Sequence, residues 1–240
     1  MRVVCVSLLP GLLSACVFKE RVESESIEFS EPFERFTLDS DGGTVNLIGV
    51  SGSETTADVT YRYDRARPEM VWALQSDGEL LVTVDCAYDE YLCEVDLDIV
   101  IPDRTVTLID NRIGDVTVAG ILLTTTLDAR NGSVEATEIG GDLTIDVGVG
   151  DIVASGLAGG RVVADAEEGA ITLEHEQTFE DLAANTGAGD ISINVKEGRY
   201  NIVASASGSV SVAGIDADAA AASLIEANTA SGDVTIVGTP

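Results

Sequence analysis

A glycine-led strand returns seven times toward the C-terminus. It occurs as Gly114-Asp115-Val116-Thr117-Val118, Gly132-Ser133-Val134-Glu135-Ala136, Gly150-Asp151-Ile152-Val153-Ala154 and Gly169-Ala170-Ile171-Thr172-Leu173. Gly189-Asp190-Ile191-Ser192-Ile193, Gly208-Ser209-Val210-Ser211-Val212 and Gly232-Asp233-Val234-Thr235-Ile236 complete the series. Successive glycines stand 18, 18, 19, 20, 19 and 24 residues apart, and a second short strand falls within most periods, as at Leu143 to Val147, Arg161 to Asp165 and Asp181 to Asn185. Five extended residues span roughly 16 Å, so two such strands and their turns close one coil. A coil that small buries nothing by itself; stacking does, and is expected to bury Val116, Val134, Ile152, Ile171, Ile191, Val210 and Val234 above one another. Ala129, Ala164, Ala184 and Ala227 on the partner strands imply a thin interior. Glycine admits a positive φ at the corner. The aspartate that follows it, at Asp115, Asp142, Asp151, Asp190 and Asp233, is expected to cap its own turn. A β-sandwich would accommodate the strand count, but not one residue type returning at one step of a regular period.

Ahead of the repeat, residues 32–110 hold the single tryptophan, Trp72, and alternating runs that read as strands: Phe36 to Leu38, Thr44 to Ile48, Ala57 to Tyr63, Val71 to Leu74, Leu80 to Asp85 and Glu94 to Ile101. Cys86 and Cys93 flank Ala87 to Leu92 between the last two runs, which suggests a hairpin whose tip is clipped by a disulfide. The fold class expected is therefore all-β: a single-chain β-solenoid with coils of about 19 residues, preceded by a more irregular β segment containing a hairpin. With no Pro/Gly/Ser linker between Ile101 and Gly114, residues 32–110 should be continuous with the solenoid at 111–240.

The N-terminus reads as an export signal. Arg2 is followed by a short apolar run from Val3 to Leu13 and then Ser14-Ala15-Cys16, too short to remain as a membrane span. Leu13-Ser14-Ala15-Cys16 resembles the lipobox of bacterial lipoproteins. That resemblance implies removal of residues 1–15, lipid attachment at Cys16, and a bacterial envelope location. Val17 and Phe18, in place of the aspartate associated with inner-membrane retention, lean toward the outer membrane. Residues 16–31 would then be a lipidated tether or an edge segment.

The chain has 240 residues with 42 Asp+Glu against 13 Lys+Arg, a formal charge of -29. Nothing here neutralises a phosphate backbone, so nucleic acid is excluded as a partner. The only lysines are Lys19 and Lys196, and no phosphate-cradling loop precedes either. His175, the single histidine, sits between Glu174 and Glu176 and reads as structural. No nucleophile elbow accompanies it. Asp96 and Asp98 share the outer face of one strand, which reads as a solvated acidic face and a candidate ligand contact, for calcium or, with a third partner, for polysaccharide cleavage, while Arg62, Arg65 and Arg67 look remote from any acidic cluster. Tyr88 and Tyr91 flank the cysteine-bounded loop and are candidate ligand contacts. No cofactor is implied, calcium being the one cation the carboxylates suggest.

The segment Gly114-Asp115-Val116-Thr117-Val118-Ala119-Gly120 and its copies, with Ile101-Pro102 ending the strand before them, resemble the bacterial putative-adhesin β-strand-repeat family of envelope proteins. The resemblance runs from about Phe33 to Val237 and brings no catalytic residue set. It implies a non-enzymatic, lipid-anchored envelope protein in a structural or adhesive role, meeting an envelope protein or a glycan. Two alternatives are a carbohydrate-active β-helix enzyme acting on envelope or extracellular polysaccharide, and a calcium-stabilised surface scaffold.

Overall fold

The computed structural model describes residues 20–86 and 92–240, and among them there is no helix. Strands β1 (Arg21–Phe29), β2 (Arg35–Ser40), β3 (Val45–Val50), β4 (Thr55–Tyr63), β5 (Glu69–Leu74), β6 (Glu79–Asp85) and β7 (Cys93–Pro102) build the head of the molecule. Two eleven-stranded sheets face each other across one core. β2 and β3 form the first coil, one strand in each sheet. The chain then steps outward to β4, folds back through the antiparallel pair β5–β6, and returns as β7 between β4 and β3. β1 closes the first sheet, antiparallel to β4.

The cysteine-bounded loop is not a hairpin. β6 lies beside β2 in the second sheet, whereas β7 lies beside β3 in the first. Alternation correctly marked Leu80, Val82, Val84, Val95, Leu97 and Ile99 as buried, yet the two sets face each other across the interior from opposite sheets. The Cys86–Cys93 disulfide, with 6.0 Å between Cα atoms, therefore spans the crossover from sheet to sheet. The hairpin of this segment is β5–β6, turned at Gly78, where φ is +82°.

From β8 (Val106–Ile113) and β9 (Val116–Ala119) the coils become regular. They continue through β10 (Thr125–Asn131), β11 (Val134–Thr137), β12 (Leu143–Val149), β13 (Ile152–Leu157), β14 (Arg161–Glu168), β15 (Ile171–His175), β16 (Asp181–Ala188) and β17 (Ile191–Lys196). Even-numbered strands stack in parallel in the second sheet and odd-numbered ones in the first. Val116, Val134, Ile152, Ile171 and Ile191 are register partners in succession, all buried. Ala164, Ala184 and Ala227 form a matching column opposite, and Ala129 is buried on its own step beside Val147. Burial of each such Val or Ile stabilises the stack by about 1.5–3 kcal/mol before chain entropy is counted.

The last coils are out of sequence order. β18 (Arg199–Ala206), β19 (Val210–Ala213) and β20 (Asp216–Ala217) occupy the tail end, and β21 (Leu224–Thr229) and β22 (Val234–Thr239) return to lie inside them. Val234 thus stacks on Ile191, and Val210 stacks on Val234 from outside. Val210 is 46% exposed, contrary to its expected burial, because β19 is the outermost strand of its sheet among the described residues. The inner coil suits its place. Thr229 is level with Thr186, and each hydroxyl donates to a corner carbonyl, Gly189 at 2.8 Å and Gly169 at 2.9 Å. Ala206 holds that step in the outer coil and has no such group. The 24-residue final spacing is the walk out to the tail and back. It contains β20 and a turn at Asp218, whose carboxylate accepts from Ala220 N–H at 2.9 Å.

Candidate functional site

Two polar ladders run the length of the solenoid. The first follows the corner, and its aspartates do not cap their own turns. Asp115 accepts from Ser133 N–H at 2.8 Å, Asp151 from Ala170 N–H at 2.8 Å, Asp190 from Asp233 N–H at 2.9 Å and Asp233 from Ser209 N–H at 2.6 Å. Every one of these bonds crosses to the neighbouring coil. At the opposite corner Asp142 does the same for Arg161 N–H, at 3.1 Å. Asp96 belongs to the first series: the register sets it level with Thr44, whose N–H it accepts at 3.0 Å. Ser133, Thr44 and Ala170 alternate with most of the aspartates, which spaces like charges two coils apart. The Ser209 bonds also hold the Asp233 carboxyl below its ordinary pKa.

The second ladder lies on the outward face of the second sheet, and the sequence reading missed it. Asp39, Asp110, Asp128, Asp146 and Asp165 are register partners on five successive strands, continued by Asn185, Asn228 and Ser205. The signal was present as a recurring Asp between two buried residues, in Leu127-Asp128-Ala129, Ile145-Asp146-Val147 and Ala164-Asp165-Ala166. Toward the tail the ladder is neutral and hydrogen-bonded. Ser205 donates to Asn228 at 2.7 Å, Asn228 to Asn185 at 3.0 Å, and Asn185 to Asp165 at 2.8 Å. Toward the head it is a row of carboxylates about 4.8 Å apart. Open grooves lie over both halves, one lined by Asp146, Asp165, Asn185 and Asn228, the other by Asp39, Asp110, Asp128, Arg112 and Arg130.

Crowding shows in the titration of this row. Partial desolvation, then Asp110 and Asp41, raise the Asp39 pKa; partial desolvation, then Asp110 and Asp146, raise that of Asp128. The carboxylates point outward side by side rather than toward a common centre, so the row is an extended field of charge. Consistently, no three His, Cys, Asp or Glu side chains among the described residues converge to hold a metal ion. Asp128→Asn is expected to stabilise the fold by about 0.5 kcal/mol at low ionic strength and by less in 0.5 M salt, measured by urea unfolding.

The singled-out residues separate. Asp96 is engaged on both oxygens, the second lying 2.6 Å from Arg62 Nη1. Arg62 also approaches Glu94 at 3.4 Å, and Arg67 pairs with Glu25 at 2.8 Å, so these arginines do meet acidic partners. Asp98 faces outward and accepts from Asn46 Nδ2 at 2.8 Å. Cys16, Tyr88 and Tyr91 lie outside the described residues. His175 is fully buried, its Nε2 2.9 Å from the Gly159 carbonyl and its Nδ1 accepting from Gln177 N–H at 3.3 Å. That pattern fixes a neutral ring with the proton on Nε2, tilted against Phe179 with 5.0 Å between ring centroids. Burial holds its pKa below the ordinary value, so the unfolded chain takes up this proton first as pH falls. Stability contributed here is full above about pH 6.5 and declines below it. Asp39 and Asp128, with raised pKa values, act oppositely through the carboxylate range. His175→Gln should flatten the slope of unfolding free energy between about pH 6.5 and 5.5, read from urea titrations at each pH.

No family model and no curated protein matches the chain. Solved structures do. A putative adhesin from Bacteroides fragilis aligns with a TM-score of 0.50 at 16% identity, over 90% of this chain and 97% of its own. The two share a fold. A putative adhesin from Parabacteroides distasonis follows at TM-score 0.49 and 15% identity, over 91% and 97% of the two chains. A putative cell adhesion protein from Clostridium sporogenes gives 0.39 and 13%, over 92% and 100%. The resemblance read from Gly114 to Gly120 thus holds at the level of the fold.

Proposed function

We propose that this chain is a non-enzymatic protein of the bacterial envelope, held to the outer membrane by lipid on Cys16 and acting by surface contact. The observation that carries this reading is the ladder from Asp39 to Ser205, an outward-facing row repeating at strand spacing. A repeating polar row suits a glycan or envelope protein that also repeats. Catalysis by paired carboxylates asks instead for two groups converging on one bond, in distinct environments. The structure from Bacteroides fragilis that shares the fold is named a putative adhesin, which agrees with contact as the role. Tyr88, Tyr91 and the outward-facing Asp98 are proposed as secondary contacts, whereas Asp96 is committed to Thr44 and Arg62.

The anchor and the absence of turnover are tested together. In membrane fractionation the wild-type chain should partition with outer membranes, and Cys16→Ser should release it to the soluble fraction. Incubation with neutral and acidic polysaccharides should liberate no new reducing ends. Cleavage abolished by a single carboxylate substitution would replace this reading with the enzyme.

A further inference from the structure

The two ends of the solenoid are built differently. At the head, β1 is the outermost strand of the first sheet and carries Arg21, Glu23, Glu25 and Glu28. It is latched down: the Tyr61 hydroxyl donates to Glu25 and the Tyr63 hydroxyl to Glu23 at 2.5 Å. At the tail, β19 is outermost, and from Gly208 to Gly214 there is no charged residue. Val210 and Val212 are level with Val234 and Ile236, which are buried, yet are 46% and 42% exposed. Ile202 and Ala204 of β18, and Ile215, are likewise covered on one side only. Val234 N–H donates to the Ser209 carbonyl at 2.9 Å. Alternation along a strand then turns the backbone groups of Ser211 toward β22 and those of Val210 and Val212 away from it. The tail is an open apolar cross-section rimmed by a free strand edge.

We propose that this tail end is the interface of a twofold, tail-to-tail dimer with a second copy of the chain. Charge selects the occupant. The body carries a formal charge of -29, so cationic partners are drawn to the ladders, and the neutral tail offers them nothing. An occupant has to be a β edge that is itself uncharged and apolar at alternate residues, and β19 is such a strand. A twofold axis along the sheet normals reverses strand direction and keeps each sheet in its own layer. β19 then pairs antiparallel with its copy, the β18–β20 edge meets its counterpart, and both sheets run on across the junction. At the rim Arg199 and Asp218, 3.4 Å apart, bring both signs to the contact. The head cannot take the tail's place as partner, because the glutamates of β1 would be set against an apolar edge; assembly therefore closes at two.

The dimer does not rest on the lipid anchor, but the two combine simply. Cys16 is four residues before Glu20, within about 14 Å of the head by chain length alone. Tail-to-tail pairing puts the two heads at opposite ends, so an anchored pair bridges two facing membranes.

Sedimentation equilibrium of the full-length chain in non-ionic detergent tests the proposal. The wild type should be dimeric at micromolar concentration. Val212→Lys buries an unpaired charge in the junction, and Val212→Pro removes an outward N–H that β22 does not use. Each should raise the dissociation constant by at least about tenfold with the circular dichroism spectrum unchanged. Val71→Lys, on the head-end edge strand β5, should leave the dimer intact. A monomeric wild type, a dimer indifferent to both Val212 variants, a dimer lost with Val71→Lys, or open-ended polymers would each overturn the proposal.

Discussion

Gly169→Ala is expected to destabilise the protein by about 4 kcal/mol or more, while Gly52→Ala costs about 1–2 kcal/mol. Both glycines hold nearly the same unusual backbone, with φ of +151° and +152°. The difference lies in what a side chain would meet. At Gly52 a Cβ enters open space, so only the backbone strain is felt. At Gly169 it would stand 1.9 Å from the carbonyl oxygen of Gly150, the corner glycine of the preceding coil. That atom is backbone, fixed in its own parallel ladder, so the two coils must part. Parting them also breaks the bond from Ala170 N–H to Asp151. Urea unfolding of the two variants side by side separates strain from stacking. Equal costs would mean that the corners are not in contact.

The second large effect concerns two valines that the repeat makes equivalent. Val234→Ala should cost about 2–3 kcal/mol and Val210→Ala less than about 0.5 kcal/mol, measured at dilutions where the chain is monomeric. Both open the Gly-x-Val step of a coil, but Val234 is buried between Ile191 and Val210, and Val210 has a neighbour on one side only. Comparable costs would place the coils in simple sequence order and remove the open tail.

That pair of valines also shows where sequence reasoning stops. Period and alternation identified the coil, its corner glycines and the inward residues, because those depend on each strand's own pattern. Which coil lies against which depends on comparing near-identical surfaces. The step that Ile191 occupies holds Val or Ile in every coil, so hydrophobic pattern alone ranks all neighbours alike. The deciding groups are Thr229 and Asn228, whose hydrogen bonds continue those of Thr186 and Asn185. The same limit misplaced β7. Alternation states that Val95, Leu97 and Ile99 face a core, and leaves open from which sheet they do so. The cross-coil bonds of Asp115 and Asp151 were hidden for a related reason, since an aspartate after a glycine is an equally good cap for its own turn. The outward ladder was the legible feature that went unread. Asp128, Asp146 and Asp165 recur at one step of the second strand of each period, but an outward aspartate between two buried residues is also what solubility alone would place there.

Contact through that ladder is the central claim, and a glycan-array screen of the full-length chain addresses it most directly. Three proteins are compared: the wild type, the ladder variant Asp110→Asn with Asp128→Asn and Asp146→Asn, and a charge-matched control with Glu54→Gln, Glu135→Gln and Glu174→Gln. The control removes the same charge from exposed positions off the row. Binding should be lost in the ladder variant, which should unfold no more easily than the wild type, and should persist in the control. Equal binding by all three, or equal loss in both variants, would contradict the account: the row would then be charge for solubility, and the contact would lie elsewhere.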